Sequence, residues 1–187
     1  KNFFTSSDVA KMSEYIDFLI NKENEAKYYE ISEINKERIL IRIENFINEN
    51  NSKLKNILIT PKVIECLTHL FGEPPLLFKD KINFKLPGCK AEKLHQDQAG
   101  GWSTYCNYFI TMGVAIDENN KENAPISFMN SGNYKRQLMA PEWKPLSEND
   151  PPYQPENEYS ILLANPGDVF FFDSYLPHGS PPNKSDH

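Results

Sequence analysis

The sequence predicts an α+β fold with a mainly β core, in which helices buttress one side of an antiparallel sheet sandwich. Its first third carries apolar residues at helical spacing. From residue 76 onward it breaks into short runs rich in β-formers, separated by Pro, Gly and Asn clusters. Helices first and strands later is a segregation unlike the alternating elements of a parallel doubly wound sheet. A jelly-roll, or double-stranded β-helix, is one arrangement that satisfies it.

Taken in order, a capping cluster at Ser6, Ser7 and Asp8 precedes Val9, Met12, Ile16, Leu19 and Ile20, whose spacing predicts a first helix. Ile39, Ile43, Phe46 and Ile47 predict a second. A third begins at Thr60-Pro61, a capping hydroxyl followed by proline at the first helical position, and buries Val63, Ile64, Leu67 and Leu70 before stopping at Gly72. After "GEPP" the strand candidates are "LLFKDKINFKL", "YFITMGVAID", "ISFM", "SILLA" and "DVFFFDS". The proline-rich stretch from Met139 to Asn157 reads as a long loop of the kind that forms lids or substrate walls.

The 187 residues fit one domain, with residues 1–72 as a helical N-terminal part and 76–187 as the β core. Twenty basic against 26 acidic residues give a formal charge of −6, and the lysines are interspersed with acids. No basic stripe suits nucleic acid or an anionic lipid surface, so a small-molecule substrate is expected. The longest apolar runs fall far short of the roughly 20 residues that span a bilayer. The start, "KNFFTSSD", lacks an apolar secretion signal, and Cys66, Cys89 and Cys106 are an odd set without CxxC spacing. Reduced thiols and a cytoplasmic location are expected. Nothing in the sequence bears on the oligomeric state.

The chemistry concentrates in "KLHQDQAGGW" and "PGDVFFFDSYLPHGSPPNKSD". On an extended segment residues i and i+2 project to one side, so His95 and Asp97 can present a nitrogen and an oxygen to one point. By itself the His-X-Asp pair is a weak signal, and an exposed polar turn is the alternative. His69 sits inside the third helix and His187 is the last residue, which leaves His178, at a strand end beside a turn-rich loop, as the candidate second imidazole. Two histidines and one carboxylate make a facial triad that leaves positions open on an octahedral iron(II). The alternative for His178 is an ordinary loop histidine.

The segments "INFKLPG", "HQDQAGGWSTY", "ITMGVAID" and "NPGDVFFFDSYLPHGSPPNKSD" resemble, in order and spacing, the phytanoyl-CoA dioxygenase family of iron(II) and 2-oxoglutarate dependent oxygenases, and within it the bacterial small-molecule hydroxylases, those of phosphonates included. The resemblance implies a double-stranded β-helix holding Fe(II) through His95, Asp97 and His178, with 2-oxoglutarate and O2 as cosubstrates. It implies that Ser180 bonds the 2-oxoglutarate carboxylate, with Asn83 as a further cosubstrate contact. The expected reaction is hydroxylation of a small polar metabolite, for instance an aminoalkylphosphonate, with release of succinate and CO2. Lys79, Lys81, Lys85, Lys93, Lys135 and Arg136 are available to meet an anionic group, and Trp102, Tyr105 and Trp143 to form pocket walls or a lid. The family's arginine for the distal carboxylate is expected about ten residues past the distal histidine, beyond His187, together with a final strand. The competing readings are a catalytically silent metal-binding relative, which would make no succinate, and a cupin-type dioxygenase, which would not need 2-oxoglutarate.

Overall fold

A reciprocal clasp sets the start of the first helix. Thr5 caps α1 (Ser6–Asn21): its Oγ1 accepts from the Asp8 amide, and Asp8 in turn accepts from the Thr5 amide at 3.0 Å. The capping residue is therefore Thr5, one position before the predicted cluster, and Asp8 is its partner in a capping box. Met12, Tyr15, Ile16 and Leu19 form the buried stripe of α1. The computed structural model describes residues 1–23, 26–47, 52–129 and 159–186.

The predicted second helix is instead a strand. Residues 27–31 form β1 (Lys27–Ile31), which pairs antiparallel with β2 (Arg38–Glu44), and β2 takes up Ile39 and Ile43. The β-branched residues Ile39, Ile41 and Ile43 are compatible with a pleated surface, and pairing of β2 on both of its sides decides for the strand. Two short helical segments follow, α2 (Lys53–Leu58), capped by Ser52, and α3 (Pro61–Phe71). The third keeps its predicted bounds: Thr60 caps it, Pro61 opens it, and Gly72 closes it at φ +83°. Val63 is buried, whereas Leu70 stays half exposed. The described part of residues 1–72 thus holds two strands as well as three helices.

These strands join the later ones. β3 (Lys81–Asn83) adds to the free side of β2, so β2 is the centre of a β1-β2-β3 sheet. Of the "LLFKDKINFKL" run only these three residues are strand, and Leu76 is almost fully exposed. β4 (Glu92–His95), β5 (Ile110–Val114), β6 (Ser127–Met129), β7 (Tyr159–Ile161), β8 (Val169–Asp173) and β9 (His178–Ser180) complete the set. They form a four-stranded sheet in the order β4-β9-β6-β7 and a β5-β8 pair, every pairing being antiparallel. The fold is α+β with antiparallel sheets. The core unites α1 (Met12, Leu19), β2 (Ile43), α2 (Leu54) and α3 (Val63), and Ile82, Met112 and Val169 pack onto it. The expected 139–157 loop, Trp143, Lys135, Arg136 and His187 lie outside the described residues.

The β5-β8 pair carries the aromatic support of the site. Gly113 lies opposite Phe170, whose ring covers the space a side chain would need. Phe170 stacks nearly parallel to Phe172 at 6.3 Å, and Phe172 lies 4.8 Å from the His178 ring. Gly113→Ala is expected to displace Phe170 and lower stability by about 1–3 kcal/mol, the usual cost of overpacking. A denaturant midpoint unchanged from wild type would show that Phe170 moves aside freely.

Candidate metal centre

The β4-β9 pairing builds the site. In its register His95 lies opposite His178 and Glu92 opposite Ser180, with a bulge between Glu92 and His95. Pairing two strand ends in this way brings the imidazoles to a ring separation of 4.4 Å. Gln96 continues the extended backbone for one residue (φ −114°, ψ 130°), and a 3-10 turn, Asp97–Gly100, then starts at the carboxylate. Asp97 therefore sits at the mouth of the turn, not on the strand, yet its Oδ1 comes 3.6 Å from His95 Nε2 and 3.8 Å from His178 Nε2. One ligand atom from each residue lies within 4.8 Å of the others, a grouping of metal-binding side chains found once among the described residues.

Each ring is oriented by its own strand. His95 Nδ1 donates to the Lys93 carbonyl at 2.7 Å and His178 Nδ1 to the Leu176 carbonyl at 2.9 Å. A carbonyl can only accept, so both bonds fix the tautomer and turn Nε2 toward Asp97. The phenyl rings of Phe128 and Phe172 pack against His178. Burial opposes the charge on Asp97, but the His95 ring, the charge of Lys81 and His178 outweigh it and hold the carboxyl far below its usual range. Burial also opposes protonation of His95, and there the nearby Asp97 carboxylate and the Lys93 carbonyl win, so its pKa lies above the ordinary histidine value. At His178 burial prevails over the attraction of Asp97 and the pKa falls. An ionised carboxylate and two oriented imidazoles are the donor set that suits iron(II), and the residues present fit such an ion.

Several residues that sequence reasoning passed over hold this arrangement. Gln96 and Gln98, both fully buried, flank Asp97: the Gln96 side chain donates to the Tyr175 carbonyl and Gln98 Nε2 to the Cys106 carbonyl at 2.9 Å. The Gln98 amide also donates to Ser174 O, at the end of β8, at 2.8 Å. Together they tie the aspartate arm to the chain that leads into His178. Gly179 is needed for the strands to meet, because a Cβ there would lie 2.7 Å from the Glu92 carbonyl oxygen. Two glutamines around an aspartate, and a glycine between a histidine and a serine, are the sequence signals that could have found them.

Of the other predicted residues, Ser180 is buried on β9 and projects to the same side as His178. Lys85 Nζ donates to its Oγ at 2.8 Å. Asn83 is exposed on β3, in the other sheet, and alternates with Lys81 and Lys85 along one face of "KINFK". Lys81 is the member of that face whose charge reaches Asp97 and His178. Half-buried Trp102 and exposed Tyr105 form an aromatic cluster with Phe78, the Phe78–Trp102 centroids being 5.4 Å apart and Lys79 Nζ lying 5.0 Å from the Trp102 ring. Cys66, Cys89 and Cys106 are free thiols. No helix among the described residues is long and apolar enough to cross a membrane.

An antiparallel α+β scaffold that brings two imidazoles and a carboxylate to one point defines a candidate metal centre of the two-histidine, one-carboxylate type. The chain belongs to the phytanoyl-CoA dioxygenase family, whose model matches residues 1–187. It is 35% identical over 160 residues to a 2-aminoethylphosphonate dioxygenase of an uncultured bacterium, an alignment covering 86% of this chain and 60% of that protein. It is 34% identical over 135 residues to a methylphosphonate hydroxylase of Gimesia maris, covering 71% of this chain and 49% of that protein. The chain thus spans between about half and three fifths of the length of these relatives. Among solved structures, EctD from S. alaskensis with 2-oxoglutarate and 5-hydroxyectoine superposes with a TM-score of 0.80 at 18% identity, over 98% of this chain and 65% of that one.

Two outcomes follow from the geometry. Gly179→Ala is expected to push β4 from β9 and lower divalent-metal affinity by about tenfold or more, since a displacement of this kind separates the donors. Equal affinity in isothermal titration would mean that the strands absorb the methyl group. Metal binding should also weaken as pH falls: His95 must lose its proton to ligate, its pKa is raised, and proton competition therefore begins above the ordinary histidine value of about 6.5. Cobalt(II) titrations between about pH 6 and 8 read this directly, and an affinity flat across that range would contradict it.

Proposed function

We propose that this protein is an Fe(II) and 2-oxoglutarate dependent dioxygenase that hydroxylates a small polar metabolite, with O2 as oxidant and succinate and CO2 as coproducts. The observation that carries the reading is the convergence of His95 Nε2, His178 Nε2 and Asp97 Oδ1 with both Nδ1 atoms committed to backbone carbonyls. In this reading the whole chain is part of one oxygenase domain and its antiparallel strands follow a double-stranded β-helix. Iron(II) bound there would activate O2, which takes up two electrons from the oxidative decarboxylation of 2-oxoglutarate and two from the C–H bond.

The chain's own residues have three tasks. His95, Asp97 and His178 would hold the ion and, being three ligands, would leave coordination positions for cosubstrate and oxygen. Ser180 offers its hydroxyl to the 2-oxoglutarate carboxylate, and Asn83 a second polar contact from the neighbouring sheet. Phe128 and Phe172 line the side of His178 and keep water from it.

For the substrate we favour a small phosphorus oxyanion, an aminoalkylphosphonate first. Two relatives above 30% identity are named for phosphonates, and the Lys81 charge beside the centre suits a dianion. Asp97 also favours hydroxylation, since a carboxylate fills the position a halide would need.

Anaerobic addition of Fe(II) and then 2-oxoglutarate is expected to produce the weak visible charge-transfer band of the chelate, and 2-aminoethylphosphonate to stimulate succinate release in air. Asp97→Ala should reduce turnover to background while the protein stays folded, because the side chain lies at a turn and not in the core. Iron binding without the band would sink the 2-oxoglutarate reading. Succinate release indifferent to every phosphonate would sink only the choice of substrate.

A further inference from the structure

Ser180 has one bonded side-chain partner among the described residues, and its identity dictates what the hydroxyl can do. Lys85 Nζ lies 2.8 Å from Ser180 Oγ and 3.1 Å from Glu92 Oε2. An ammonium carries donors and no acceptor, so Ser180 Oγ must accept from it. The single O–H proton of the serine is thereby left to donate elsewhere. Had an acid stood at position 85, the proton would be spent on that carboxylate.

The lysine is itself held in place from two directions. Glu92 faces Ser180 across the β4-β9 ladder and anchors the ammonium; burial would raise the Glu92 pKa, but the charge of Lys85 outweighs it and keeps the carboxyl ionised. On the backbone side, the side chain of Asn183, buried, donates to the Lys85 carbonyl. The Gly88 amide donates to Asn183 O at 2.9 Å and the Asn183 amide to Cys89 O at 3.2 Å, which fastens the segment after β9 to the segment after β3. A half-buried lysine fixed at both ends is well suited to orient a neighbour.

We propose that Lys85 is a positioning residue that acts through Ser180: by filling an acceptor site on Oγ it directs the Ser180 proton toward the carboxylate of the bound 2-oxo acid. This rests on the reading of Ser180 as a cosubstrate contact. Lys85 then contributes to cosubstrate affinity without touching the iron, and its contribution disappears when the serine hydroxyl is removed.

The test is a double-substitution cycle on the iron-loaded chain, with the anaerobic charge-transfer band reporting the dissociation constant of 2-oxoglutarate and a separate titration reporting iron affinity. Lys85→Met, and the smaller Lys85→Ala beside it, are expected to weaken 2-oxoglutarate about tenfold, the scale of one hydrogen bond to a charged group, at unchanged iron affinity. Lys85→Arg, which keeps a donor, should restore most of the loss. In a Ser180→Ala background the Lys85 substitutions should cost nothing further. An equal loss with and without the serine hydroxyl would show that Lys85 acts by its charge alone and would overturn the proposal, as would full affinity in both single variants. Wild-type protein that binds iron but never develops the band removes the cosubstrate reading itself, and this inference with it.

Discussion

The antiparallel contact between β4 and β9 is the constraint on which the rest depends. It places His95 opposite His178, and Gly179 lets the two backbones approach closely enough for the rings to share a point. A ladder hydrogen bond is worth about 1 kcal/mol, so a pairing this short cannot hold such a geometry alone. It is held from outside: Gln96 and Gln98 fasten the aspartate arm, the Asn183 clasp closes the end beyond Ser180, and Phe172 and Phe128 brace the distal ring. A preorganised site is one in which the supporting groups, and not the ligands, absorb the cost of precision.

The electrostatics follow from that packing. A carboxylate buried between two imidazoles would be expensive if either ring were misdirected, because an unpaired buried charge loses its hydration without compensation. Here both rings spend Nδ1 on their own strands, and the compensation for Asp97 comes from His95, whose protonated form the carboxylate favours, and from the positive charge of Lys81 in the neighbouring sheet. The opposite shifts of the two histidines come from the same balance: His95, closer to Asp97 and less buried, gains more from the carboxylate than it loses to burial, and His178 does not. Divalent metal would take over the role that the His95 proton plays in the metal-free site.

Much of this was legible in the sequence where the signal was local. The third helix was readable because Thr60, Pro61 and Gly72 each have a terminal role that few other residues fill. The second helix was misread because spacing i, i+4 is ambiguous: Ile39 and Ile43 share a face of a helix, but an even spacing also shares a face of a strand. What decided for the strand was pairing on both sides, with β1 and β3, which no local pattern reports. The site was legible as residue types. The HQD arm and the later histidine announced two imidazoles and a carboxylate, whereas the glutamines that anchor them looked like ordinary polar residues.

By itself the sequence determined the kinds of donor available, the turn and strand character of the segments bearing them, and the family to which the motifs belong, because these depend on neighbours a few residues apart. Only the tertiary structure decided which donors meet. His95 faces His178 because antiparallel registry aligns distant segments by backbone hydrogen bonds that carry no side-chain signature, and Lys85 reaches Ser180 across 95 residues of chain where Asn183 fastens the segment after β3 to the segment after β9. The direction of a single hydroxyl proton at Ser180 is the last link of that alignment.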